Sequence, residues 1–483
     1  MKDIFKNITE NSFCKKSGIC SVNPVINALD AVILNEIRQI SFYIVKLKEF
    51  GITNDEIMKE TVFNLSVSVS DTNFNKNAFL TFYLNLKNTK EKIKTFYIKN
   101  CEKLNTSYEI VTTGFVENET DISDLIKAGE NIVKHFYNNL PDEKVRLINL
   151  ILISAKTASI ELYRLSKYDK DITNYCFEVL RLISITNNIG TRYDKYVRRI
   201  KEFSKIKYEI KEAYNKSLIE AYGNIKESFE IDSSIYEGKS IFITGGDLFE
   251  LYNLLKETEE KQINVYTDIT MLHAYLYPAF GKFKNLKGLF GLNDTDYIFS
   301  NFKGPLYITG NSDLNLDMTF RGNIYCSKTI PGDKAVKISE NDLSPLINSA
   351  LDYEGFQKET KEKPLKFSFS FDKIETETKN SDKKKILIAA GEIEDKIKEN
   401  FKDCTIINLD FPYETNALHY ITNNFDTKNI SVLFSKCSIN SVDNLISILD
   451  KGYEKIYFSN CLAMVINPHI TDSLRKDFGI ETI

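Results

Sequence analysis

The chain has 483 residues, 42% of them hydrophobic and 27% charged, the composition of a globular protein with several domains rather than a disordered or fibrous one. Its formal net charge of -4 lacks the basic excess of a phosphate-binding surface, so nucleic acid is not an expected partner. No run approaches the roughly 18 apolar residues of a membrane span, and the opening MKDIFKNITENSF has no apolar signal core, so no membrane contact and a cytoplasmic location are expected.

Residues 24 to about 227 read as helices. Apolar residues at mixed three- and four-residue spacing run from Val25 to Phe50, and Gly51 is placed to stop them. Thr53 then offers a cap to NDEIMKE, with Glu56 at capping-box spacing. Further helical patterns run over 78–105, 122–139 and 141–166. The last opens on Pro141 and acids, as helix N-termini do. Two more span 171–187 and 192–221. Antiparallel helices with short connections bury such stripes against one another, which implies one or two bundles.

The pattern changes near residue 237. EGKSIFITGGDLFELYNLLKETEEKQINVYTD reads as strand, turn, helix, strand. Residues 299–309 read as another strand, 321–327 as a short one, and 342–351 as a short helix with Ser344-Pro345 in its first turn. Strands alternating with helices predict a parallel sheet covered by helices over about 235–355. A charged connector, 356–385, contains the alternating LKFSFSFDKI. From residue 386 to the end, KKKILIAAG, CTIINLD, ISVLF and KIYFSN read as strands, each followed by a helix, as in a compact doubly wound or flavodoxin-like unit. The predicted fold class is therefore multidomain α + α/β. A helical bundle over 1–230 is followed by two Rossmann-like α/β domains with parallel sheets, 235–355 and 386–483.

Chemistry is sparse along this frame. Of eight cysteines only Cys14 and Cys20 are close, in CKKSGIC, and no CxxC pair occurs, so reduced and mostly buried cysteines are expected. His135, His273, His419 and His469 form no HxH or HxxxH pair, and HExxH, nucleophile-elbow and Walker patterns are absent. The glycine pair of ITGGDLFE falls short of the dinucleotide fingerprint and reads as a tight βα turn, with anion binding as the sharper alternative. From the residues alone, no catalytic residue can be named.

Five segments in order resemble the hybrid-cluster proteins, also called prismane proteins or hydroxylamine reductases, which are related to carbon monoxide dehydrogenase. IFITGGDLFELYNLLKETEEKQINVYTDITMLHAYLYPAFGKFKNLKGLFG, residues 241–291, resembles the family's strand, His-Asp-Leu turn, helix and Gly-Glu-Met-Leu segment. GPLYITGNSDL at 304–314 resembles its strand ending Thr-Thr-Asn-Cys. RGNIYCSKTIPG at 321–332 and NDLSPLINSAL at 341–351 resemble the next two stretches. GYEKIYFSNCLAMVINPHITDSLRKDFGIETI resembles the C-terminus. CKKSGIC resembles more weakly the N-terminal cysteine motif.

The resemblance implies three-helix bundles followed by two Rossmann-like domains. It also implies an N-terminal iron–sulfur cluster on four cysteines. A hybrid Fe–S–O cluster, held by one histidine, two glutamates and four cysteines, would reduce hydroxylamine or nitric oxide. This sequence departs at those positions. Gly246 stands for the histidine, Thr270 for a glutamate and Ser312 for a cysteine. In the shortened third domain the remaining ligands fall near Gly391, Asp410 to Pro412 and Ser438. Cys14 and Cys20 correspond to the last two of the four N-terminal cysteines and are the remaining metal-ligand candidates. Glycine donates nothing, and hydroxyls are poor substitutes for thiolate and carboxylate on iron.

No cofactor is therefore expected, and loss of the cluster leaves a non-catalytic homologue. Such a protein would bind a protein partner, a second copy of itself, or a small polar ligand in a cleft lined by Asp247, Asp268 and His273. The alternative is a hydroxylamine reductase-like oxidoreductase of anaerobic metabolism with unorthodox iron–sulfur ligation.

Overall fold

The structure is a computed structural model. It describes residues 24–67, 76–111, 121–139, 141–188, 190–291, 295–309, 320, 322–327, 334–368, 370–372, 375–376, 385–390, 393, 395–409, 413–434, 439–458 and 475–482. Two compact units emerge, one built around residues 217–369 and the other around residues 22–67, 80–216 and 370–483.

The second unit holds most of the helices: α1 (Pro24–Glu49), α2 (Asp55–Ser66), α3 (Lys76–Lys103), α4 (Ile122–Asn139), α5 (Asp142–Ser166), α6 (Thr173–Ser184) and α7 (Tyr193–Tyr222). The long helices α3 and α7 run past its borders. Helix α1 packs against α4 and α6, and α2 against α5. Between Ala28 and Tyr43 nearly every side chain of α1 is buried, because α1 is surrounded rather than laid on a surface. That burial takes in Glu36, which is paired with Lys90 at 2.8 Å. Desolvation raises the Glu36 carboxyl above its usual value even so. The cap of α2 is Asn54, whose side chain accepts from the Ile57 N–H at 3.1 Å. Thr53 lies one residue too early, since the residue just before the first helical one has the extended backbone that turns its side chain onto the orphan N–H groups.

In the same unit, β9 (Lys385–Ala390), α11 (Asp395–Lys398), β10 (Cys404–Leu409), α12 (Glu414–Asn424), β11 (Ile430–Phe434), α13 (Ile439–Ile448), β12 (Lys455–Phe458) and β13 (Glu481–Thr482) form a sheet ordered β10-β9-β11-β12-β13. All its pairs are parallel, which is the flavodoxin-like order. Its α12 and α13 side meets α7 through polar groups. Tyr208 hydrogen-bonds Asn423 at 2.7 Å, and Lys211 reaches Asn444 at 2.9 Å.

The first unit contains β1 (Ser228–Ile231), β2 (Ser240–Thr244), α8 (Leu248–Glu259), β3 (Asn264–Thr267), β4 (Leu286–Leu289), α9 (Thr295–Asn301), β5 (Leu306–Ile308), β6 (Ile324–Cys326), β7 (Ala335–Lys337), α10 (Ser344–Asp352) and β8 (Leu365–Ser368). The six-stranded sheet is ordered β4-β3-β2-β5-β6-β7 and is parallel throughout. Every residue of β2 and β3 is buried, as strands covered on both faces must be. One side of the sheet rests on an aromatic cluster of Phe242, Tyr266, Phe290, Phe302 and Phe356. The expected strand over 299–309 divides. Ile298, Phe299 and Phe302 bury a helical face, and only 306–308 is strand after the Gly304-Pro305 break. The connector's LKFS segment forms β8, antiparallel to β1. None of the helices among the described residues is long and apolar enough to cross a membrane.

Candidate functional site

In the six-stranded sheet the strand order reverses between β2 and β5. In such sheets, ligands enter outside the carboxyl ends of the strands at that point. The carboxyl ends repeat one letter: SIFIT, NVYT and LYIT finish on Thr244, Thr267 and Thr309. Thr309 donates its hydroxyl and its N–H to the Thr244 carbonyl, both at 2.9 Å, and so stitches β5 to β2 at the reversal. The Thr267 hydroxyl meets the Tyr275 hydroxyl at 2.9 Å and bonds the Gly288 carbonyl at 3.2 Å.

The sequence-predicted Gly246 and Asp247 follow β2, and Asp268 and Thr270 follow β3, so the fold brings these two turns together. Gly245 and Gly246 both have positive φ, which glycine alone adopts freely and which reverses the chain from β2 into α8. The Gly245 N–H donates to the Thr270 hydroxyl at 2.9 Å. That hydroxyl donates in turn to Asp268 at 2.5 Å, and the Thr270 N–H reaches the same carboxylate oxygen at 3.0 Å. The second Asp268 oxygen accepts from the Thr244 hydroxyl at 2.5 Å. One closed network therefore ties the ends of β2 and β3, with the fully buried Asp268 at its centre. Burial pushes the Asp268 carboxyl up to about 6, against the opposing pull of these hydrogen bonds.

Asp247 is also committed. It caps α8, accepting from the N–H groups of Phe249 and Glu250 at 3.1 and 3.2 Å. A carboxylate thus occupies the helix terminus that an anion would need, and the ITGGD turn is a capped βα turn. Beneath it, the Tyr307 hydroxyl donates to the buried Glu250 at 2.5 Å. Burial, and then the Glu250 charge, raise that phenol far above its usual value. His273 lies on the 3-10 segment Ile269–Leu276 and is half-buried.

Ser312, Gly391, Pro412, Ser438, Cys14 and Cys20 lie outside the described residues. Among the described residues, Cys101, Cys176, Cys326 and Cys404 are not in disulfides. Cys404 begins β10 and so sits at the amino end of its strand, away from the edge where α/β sheets hold ligands. No group of three or more His, Cys, Asp or Glu side chains among the described residues is placed to hold a metal ion. The strand-end groups do not fit an Fe–S–O cluster. Gly246 has no donor, Thr270 and Asp268 spend theirs on each other and on the backbone, and all are hard oxygens where such clusters need soft sulfur. The strand-end threonines and the Tyr307–Glu250 pair were not anticipated. The repeated terminal threonine was the available signal.

Comparison with known proteins agrees with this frame. The profile of the Prismane/CO dehydrogenase family matches residues 7–435. Hydroxylamine reductase of Syntrophobacter fumaroxidans is 24% identical over 418 residues, 82% of this chain and 76% of that one. The enzyme of the same name from Natranaerobius thermophilus is 24% identical over 402 residues, 79% and 71% of the two chains. That of Thermosipho melanesiensis is 25% identical over 374 residues, 75% and 67%.

Proposed function

The chain belongs to the Prismane/CO dehydrogenase family, and we propose that it is a homologue in which hydrogen-bonded structure has replaced the cluster site. On this reading it keeps the family's plan, 1–230, 235–355 and 386–483, without reductase chemistry. It serves instead as a non-catalytic protein that binds a partner or a small polar ligand. The observation that carries the reading is the Gly245–Thr270–Asp268–Thr244 network. Where the resemblance implies a histidine and a glutamate reaching for iron, Gly246 offers no side chain and Thr270 is turned back onto the backbone. A ligand position would stay empty or keep a free donor. Here the polar groups at the ends of β2 and β3 satisfy one another, which is what a buried site needs once its metal has gone.

A second reading keeps the activity, and it draws support from the relatives' name, hydroxylamine reductase. It requires sulfur ligands from positions that do not align with the family's. Anaerobic assay of hydroxylamine-dependent oxidation of reduced methyl viologen separates the two, using protein purified and then reconstituted with iron and sulfide. Turnover at the rate of a background without protein is the expected result. Saturable turnover that scales with protein overturns the proposal.

A further inference from the structure

The contact between α7 and α12 is made by polar and aromatic groups. Tyr208 of α7 donates to Asn423 of α12 at 2.7 Å, and Asn423 donates to Glu212 at 3.2 Å. Lys211 reaches Asn444 of α13 at 2.9 Å, and Asn444 bonds Thr415 of α12 at 3.3 Å. His419 of α12 stacks on the Tyr208 ring, centroids 4.3 Å apart and planes 2° apart. The Lys451 ammonium lies 3.4 Å over the same ring. His419 is 8% exposed, and its Nε2 is buried without a hydrogen-bond partner among the described residues.

The charged groups around this imidazole offer a proton nothing to pair with. Two cations face it, Lys211 from α7 and Lys451 from the turn after α13. The carboxylates nearby are engaged with other groups. Glu161 of α5 holds Lys207 at 2.5 Å and Lys211 at 3.2 Å, Glu212 accepts from Asn423, and Asp450 pairs with Lys205 at 3.2 Å. Glu209 acts on Lys451, and Tyr453 bonds Thr422 at 2.7 Å. A proton on Nε2 would thus be a buried charge beside two ammonium groups, with no acceptor. It is accommodated only where the imidazole leaves Tyr208 for water.

We propose that His419 is an acid-sensitive latch, whose protonation opens the contact of α7 with α12 while the C-terminal sheet keeps its own core. Parting these faces returns hydrogen-bonding groups to water, and the sheet retains the packing of Leu387, Ala389, Phe401 and Leu433, so opening is local. Burial, and then the charges of Lys211 and Lys451, lower this imidazole from 6.5 to about 3. The closed contact holds the proton less tightly than the open one. The latch is therefore at full strength above about pH 6.5 and weakens as pH falls from there toward 3. Linkage makes the opening constant rise about thirtyfold between pH 7.5 and 5. The latch is independent of the strand-end reading above.

Hydrogen exchange of the full chain, read by mass spectrometry and corrected for the intrinsic pH dependence of exchange, tests it. Peptides covering 205–215 and 414–424 should open together, about thirtyfold more at pH 5 than at pH 7.5. In His419→Phe, which keeps a ring for Tyr208 but cannot take a proton, that rise should be lost. Strands 385–390 and 430–434 should stay protected. A rise undiminished in the variant, or no rise in the wild type, overturns the latch. An equal rise in the two strands overturns it too, because the domain would then be melting as a whole. A second measurement needs no substitution. ¹⁵N NMR of the wild-type imidazoles, of which the chain has only four, should find one that stays neutral well below pH 6.5, and titration of all four near 6.5 overturns the proposal.

Discussion

Replacing Asp268 by asparagine should change how stability depends on pH, in a direction fixed by the strand-end network. Asp268 is fully buried, and its carboxyl is raised from 3.8 to about 6, chiefly by burial. The folded protein therefore holds a proton there more tightly than the unfolded chain does. That stabilisation is complete below about pH 3.8 and is lost as pH rises through about 6. Two pKa units correspond to about 3 kcal/mol. The asparagine side chain would have the same shape, would still accept from the Thr270 N–H and would not ionise. The stability of Asp268→Asn relative to wild type should accordingly rise by about 3 kcal/mol between pH 4 and 7 and then level off. Urea unfolding followed by near-ultraviolet circular dichroism measures it, since the chain has 26 tyrosines and no tryptophan. The contributions of other titrating groups cancel in the difference. A pH-independent difference would refute the reasoning. A difference that falls with rising pH would mean that a cation holds Asp268 ionised, the reverse of control by burial.

Thr270→Val removes both the acceptor of the Gly245 N–H and a donor to Asp268, and should lower the urea-derived stability by about 2–3 kcal/mol, whereas Thr270→Ser should be close to neutral. Lys90→Met leaves Glu36 buried without its cation and should cost about 3–5 kcal/mol at neutral pH. That loss should shrink on acidification, because an already raised Glu36 carboxyl takes up its proton readily, and a chemical-denaturation series across pH reads it. Gly288→Ala should cost on the order of 3 kcal/mol in thermal or urea unfolding, because φ is +110° and a Cβ would lie 1.8 Å from the Asp232 carbonyl oxygen.

Much of the architecture was legible because periodicity and punctuation agreed. Helix 122–139 and the strands IFIT, VYT, ILIA and ISVLF carry patterns that only one local structure satisfies, and the βα order then required parallel sheets. Three features were not legible. Residues 299–301 are helical because Ile298 and Phe302 face the same aromatic cluster, a tertiary fact that a short apolar run cannot reveal. LKFS lies in a charged stretch and becomes strand only through pairing with β1, far away in sequence. The closed network at the strand ends depends on rotamers. Sequence marked Gly246, Asp247, Asp268 and Thr270, and resemblance supplied what they replace. Neither could say that Thr270 turns toward Gly245 or that Asp247 is spent capping α8.

Iron content tests most directly whether the cluster has been lost. The full chain, produced under iron-replete anaerobic conditions and purified without chelators, should contain well under one iron and one acid-labile sulfide per chain, with no absorbance band near 400 nm. About seven or eight irons per chain, with matching sulfide, would mean that clusters are held by ligands other than those the family alignment indicates, and would contradict the account.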